Sequence, residues 1–157
     1  MTTSPAVPVT APAVSERRLS GLRRASLGAL VMLIVQFALG IGVNLYVTLP
    51  TAGSGGRKAS QAFSDGPALA LHVVLGLLLV LAAIGLLVQA IAARHGPVIA
   101  VATVGLVAIL LAVIQGFSFV HDSTNAASMA MTVAGSVALL CYVIALYLAR
   151  SPAGRSG

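Results

Sequence analysis

Any chemistry this chain performs has to come from a short supply of side chains: three histidines, one cysteine, three acidic residues and four methionines. Glu16, Asp65 and Asp122 all fall outside the long apolar runs, so no carboxylate stands within them as a general acid, a general base or a link in a proton relay. His95 sits beside Arg94 between two apolar runs, and His121 is followed at once by Asp122 at the edge of another. Only His72 lies well inside a run. Cys141 is alone within the last run, which excludes an intrachain disulfide and leaves a small buried thiol. No phosphate-binding glycine loop, zinc-ligand spacing or nucleophile elbow occurs, and Gly53, Gly55 and Gly56 read as linker because neither a strand nor a basic helix start accompanies them. The sequence therefore argues against an enzyme and offers no catalytic set.

His72 and Met131 invite a different chemistry. Each is followed four residues later by glycine, Gly76 and Gly135, on the same helical face. Each lies about five residues inside its run from the same side of the membrane, so at about 1.5 Å rise per residue the two share a depth. A helix that ligates a haem iron needs a small residue one turn on for the porphyrin to approach, and His–Met ligation between helices is established chemistry. On this reading His72 and Met131 are the iron ligands of a b-type haem, Gly76 and Gly135 the clearances, and Gln36 and Gln115 nearby hydrogen-bonding groups. His121 is the alternative second ligand, provided its helix ends late. The same residues also have plain packing roles. His72 would hydrogen-bond a glutamine or interfacial water, Met131 would fill space, the glycines would admit neighbouring helices, and the glutamines would join them.

The elements that must position these groups follow from composition. A hydrophobic fraction of 59% with 8% charged residues and a mean hydropathy of +1.05 is incompatible with an ordinary water-soluble domain, which carries roughly 25% charged residues. Residues 26–48, 67–92, 97–119 and 126–149 are each long and apolar enough to span a bilayer. The spacing predicts an all-α, four-helix transmembrane bundle over 26–149, made of two helical hairpins as a weak internal repeat. Gln36-Phe37-Ala38-Leu39-Gly40 and His72-Val73-Val74-Leu75-Gly76 in the first hairpin align with Gln115-Gly116 and Met131-Thr132-Val133-Ala134-Gly135 in the second. Residues 1–25 are expected to be a disordered basic tail, and 150–157 a second tail.

The net charge of +6 does not mark a nucleic-acid binder, because the basic residues flank apolar runs rather than an aromatic-bearing polar face. Arg17, Arg18, Arg23, Arg24, Arg94, Arg150 and Arg155 fall on one side of the predicted spans, and Arg57 and Lys58 on the other. That asymmetry predicts an inner-membrane protein with both termini in the cytoplasm and the loop 50–66 outside.

Taken with Gln36 to Gly40, Gln115 and His72, the pattern from Leu27 to Tyr147 resembles one half of the haem A synthase family. In that family each four-helix half carries Gln-x-x-Leu-Gly-like motifs in its odd helices and axial histidines near the outer ends of its even helices. Met131 stands where the second axial histidine would fall, and the first outer loop lacks the carboxylate and cysteine pair tied to the synthase reaction. The resemblance thus implies a haem-binding membrane scaffold with a redox or assembly role rather than haem A synthesis. The alternatives are a cofactor-free accessory subunit or scaffold and, further off, a small transporter. Expected partners are the lipid bilayer and a larger membrane complex or a second copy of the chain.

Overall fold

A computed structural model describes residues 12–46, 67–122 and 125–149, which form four long helices: α1 (Pro12–Tyr46), α2 (Pro67–Ala92), α3 (Gly96–Asp122) and α4 (Asn125–Leu148). Each contains a stretch long and apolar enough to cross a membrane, namely Arg18–Val43, Pro67–Ala92, Gly96–Phe119 and Asn125–Leu148. The chain is a multi-pass membrane protein. Its helices satisfy their own backbone groups, as lipid requires, and turn Leu27, Ile34, Leu81, Val88, Ile114, Leu140 and other large apolar side chains outward. Residues 1–11 of the expected tail, the loop 47–66 with Arg57 and Lys58, Ser123 and Thr124, the tail 150–157, and the side chains of Asn44 and His121 lie outside the described residues.

Two boundaries differ from expectation. The segment expected to be a disordered tail up to residue 25 is helical from Pro12 onward. Leu22, Ser26, Ala29 and Leu33 are buried at helical spacing, and Leu19 packs against the same core, so the buried face continues before Ser26 and carries the helix with it. With 35 residues, α1 is about 52 Å long against a hydrocarbon core of about 30 Å, and part of it stands outside that core. At the other boundary α3 runs to Asp122 rather than Phe119, which takes His121 out of the expected turn and into the helix.

The helices form a ring in which each touches two neighbours: α1 packs on α2 and α4, and α3 on α2 and α4, with α3 against α4 the most extensive contact. Among the described residues the diagonal pairs, α1 with α3 and α2 with α4, bring no Cα atoms within 8 Å of each other. The half of the ring nearer Arg94 is filled. Ala83, Ala90, Ala102, Ala138 and Ala145 are wholly buried there with Leu86, Val98 and Tyr142, small side chains letting the backbones approach closely. Tyr142 fits because residue 105 is glycine: a Cβ at that position would lie 3.1 Å from its Cζ. The hydroxyls of Ser26 and Tyr142 are buried in this half without a hydrogen-bond partner.

The turn between α2 and α3 closes α2 completely. Ala93 N–H donates to the Gln89 carbonyl, Arg94 N–H to Ile91 and His95 N–H to Ala90, while the Arg18 guanidinium donates to the Ala92 carbonyl at 2.6 Å. The last four carbonyls of α2, which a helix leaves unpartnered, are therefore all taken. The first three bonds include both closures of a Schellman cap, with Arg94 at φ 53° in the left-handed position normally held by glycine. The His95 carbonyl then accepts the Ile99 N–H and opens α3.

A side chain at a left-handed position costs about 1–2 kcal/mol. Arg94→Gly should therefore raise stability in detergent micelles by up to about 1 kcal/mol, and Arg94→Val, with a β-branched side chain there, should lower it by about 1 kcal/mol or more. Thermal unfolding followed by circular dichroism reads both changes.

Candidate functional site

The half of the ring away from Arg94 is not filled. A cavity of about 710 Å³ lies there among all four helices. Leu33, Leu79 and Ile109 line it and also belong to the packed core, so they form its floor. α1 contributes Gln36, Phe37, Gly40 and Val43, α2 Leu69, His72, Val73 and Gly76, α3 Gly116, Phe117 and Ser118, and α4 Ser128, Met131, Thr132 and Gly135. The wall is mostly apolar.

Gln36 and His72 are the main polar pair. The Gln36 amide nitrogen donates to the backbone carbonyl of His72 at 2.8 Å and approaches His72 Nε2 at 3.3 Å. The carbonyl partner fixes the amide orientation, because only the nitrogen end of the amide can donate to it. Gln36 Oε1 and His72 Nδ1 are buried with no hydrogen-bond partner. Two hydroxyls of α4 near the cavity are engaged within the helix: Thr132 Oγ1 donates to the Ser128 carbonyl and Ser136 Oγ to the Thr132 carbonyl, each at 2.9 Å, the usual back-bonding of such residues in apolar helices.

Glycines set how closely these groups meet. The His72 ring lies over Gly40, where a Cβ would come within 3.2 Å of Cε1, and Gln36 lies over Gly76, where a Cβ would come within 3.0 Å of Nε2. In the second hairpin Met131 Sδ lies over Gly116, 3.6 Å from a Cβ placed there, and the Phe37 ring lies over Gly135 at 2.9 Å. The two hairpins thus share one device, a glycine on the odd helix beneath the His72 or Met131 side chain of the even helix.

His72 and Met131 both line the cavity from diagonal helices, and Gln36, Gly76 and Gly135 line it with them. Gly76 and Gly135 admit Gln36 and Phe37 rather than standing open. Gln115 is partly buried and not among the cavity-lining residues, whereas its neighbour Gly116 is. The His121 side chain is outside the described ones. Phe37, Gly40 and Gly116 were not singled out by the sequence reading as wall residues; the one available signal was the spacing of Gly40 four residues after Gln36. Among the described residues no three His, Cys, Asp or Glu side chains converge as a metal site would require.

The approach of Phe37 to Gly135 makes the floor testable. Gly135→Ala should destabilise the protein by about 1–3 kcal/mol through overpacking. The Phe37→Ala and Gly135→Ala double variant should lose less than the sum of the single losses, since the truncated side chain no longer meets the added methyl. Denaturation in mixed micelles measures the cycle.

No known family model, no curated protein and no solved structure matches this chain.

Proposed function

We propose that this protein is an inner-membrane protein that holds a planar, largely apolar ligand in the cavity between its helices, and that the ligand is a b-type haem serving a redox or assembly role. The observation that carries this reading is the placement of one imidazole and one thioether, His72 and Met131, on the walls of a single apolar cavity and on diagonal helices. A cavity of this size falls within the range that encloses small molecules and cofactors. The buried, unpartnered Nδ1 of His72 and Oε1 of Gln36 mark the place where the resting structure is least satisfied, as ligand sites often are. When bound, haem would supply one-electron chemistry. The protein's part is to ligate through His72 and Met131, to enclose the macrocycle with Val73, Val43 and Phe117, and to exclude water.

A second reading, a cofactor-free accessory subunit or scaffold, is favoured by the way Gln36 and Phe37 occupy the spaces over Gly76 and Gly135. A transporter finds less support, because the described spans carry no carboxylate between Arg24 and Arg94 or along α4.

The orientation belongs to the same proposal. Arg18, Arg23, Arg24 and Arg94 stand at one end of the bundle, and the described part of the other end carries no Lys or Arg, a distribution that supports cytoplasmic placement of the Arg94 end and of both termini. With Cys141→Ala as background, Ser54→Cys should react with an impermeant thiol reagent added to intact cells and Ser156→Cys should not. The opposite labelling would invert the protein.

Protein purified in mild detergent from haem-replete cells should show a Soret band and the reduced-minus-oxidised spectrum of a low-spin b-type centre. His72→Ala should abolish it, as no other described nitrogen ligand faces the cavity. Met131→Ala should retain haem but lose the low-spin form and lower the potential, since a thioether favours the reduced metal. If His121→Ala has that effect and Met131→Ala is silent, the second ligand is the rim histidine. A colourless protein that also takes up no haemin leaves the accessory-subunit reading.

A further inference from the structure

We propose that Gln36 is a positioning residue that latches the His72 ring, holding it neutral with its proton on Nδ1 and keeping the Nε2 lone pair in reserve for the ligand. The argument starts from the amide. One N–H of Gln36 is committed to the His72 carbonyl at 2.8 Å, and the same nitrogen stands 3.3 Å from His72 Nε2, within reach of its second N–H. A nitrogen that faces an N–H donor must act as acceptor, so Nε2 carries no proton and the ring proton sits on Nδ1. An imidazolium would set N–H against N–H at the same contact.

The two contacts differ in strength. The 2.8 Å bond ties α1 to the backbone of α2 and does not involve the ring, whereas the 3.3 Å contact is long for a hydrogen bond. A ligand centre that accepts an electron pair can therefore take Nε2 by displacing the weaker contact alone, with Gln36 still anchored. Gly40 admits the Cε1 edge of the ring on the α1 side, since a Cβ there would lie 3.2 Å from Cε1. Nδ1–H and Gln36 Oε1 are an unpartnered donor and an unpartnered acceptor buried within one side-chain pair. The latched state is thus incompletely satisfied, and a ligand bond to Nε2 offsets the loss of the weaker contact. The sequence alone could name Gln36 as a hydrogen-bonding neighbour, but not assign which ring nitrogen it occupies. The tautomer assignment concerns the ligand-free protein; the displacement step rests on the haem reading above.

Nitrogen-15 NMR of histidine-labelled full-length protein in micelles tests the assignment without any ligand, the His72 signals being identified by their loss in His72→Asn. Wild-type His72 should be the neutral Nδ1–H tautomer. In Gln36→Met, which keeps side-chain length but removes the donor, the population should move toward Nε2–H, while Gln36→Glu, with an acceptor facing Nε2, should draw the proton there more completely. A wild-type ring protonated on Nε2, or a tautomer unchanged in both variants, overturns the proposal. Haemin is the second probe: Gln36→Met should bind it about fivefold faster than wild type, the factor expected from losing one weak hydrogen bond in the resting state. Equal rates in the two proteins would show that Gln36 latches nothing. Wild-type protein that takes up no haemin yet shows the Nδ1–H tautomer overturns the haem reading and supports the assignment of the ring proton.

Discussion

A hydrocarbon interior offers no hydrogen bonds, and that absence governs this structure. Each helix satisfies its own backbone, and at the one helix end described in full, α2, the last four carbonyls are taken by three turn N–H groups and the Arg18 guanidinium. Thr103, Thr132 and Ser136 turn their hydroxyls back to carbonyls four residues earlier. A polar group that escapes this internal accounting stands out. The Gln36–His72 pair does so because it joins two helices and still leaves Gln36 Oε1 and His72 Nδ1 unpartnered. The same medium that makes such groups expensive makes them the natural place to look for function.

The bundle solves two packing problems along one axis. Toward Arg94, alanines at helical spacing on α2, α3 and α4 let backbones come close, and Tyr142 fills the remaining volume against Gly105. Toward His72 the facing residues are glycines paired with larger side chains on a neighbouring helix, and the centre stays open. Consecutive residues Gln36 and Phe37 divide the work of α1, the first reaching Gly76 on α2 and the second Gly135 on α4. A single helix thereby fixes the distance to both of its neighbours at the level of the cavity. The rigid half below and the glycine contacts above define a site whose shape is set by helix spacing rather than by loops.

That arrangement also gives the second hairpin its meaning. His72 over Gly40 and Met131 over Gly116 place two different side chains in corresponding positions of the two hairpins. The correspondence does not extend to the glutamines, since Gln36 lines the cavity and Gln115 does not. The correspondence holds where close approach demands a glycine and fails at the glutamines.

What the residues determine without tertiary information is the class of the molecule and the depth of its groups. Four apolar runs of spanning length read as helices in lipid, and a rise of about 1.5 Å per residue puts His72 and Met131 each within about two turns of the start of its own helix. The start of α1 is not legible in the sequence because its early turns are held by packing of Leu19 and Leu22 on the core and by the reach of Arg18 to the Ala92 carbonyl, 74 residues away in the chain. The rotation of each helix about its axis was equally out of reach. Gln36 and Gln115 look alike in an apolar run, and only the packing of alanines and glycines between neighbours turns one into the cavity and the other away. Depth follows from the geometry of a single helix, whereas facing is decided by contacts between helices, and those exist only once the ring has closed.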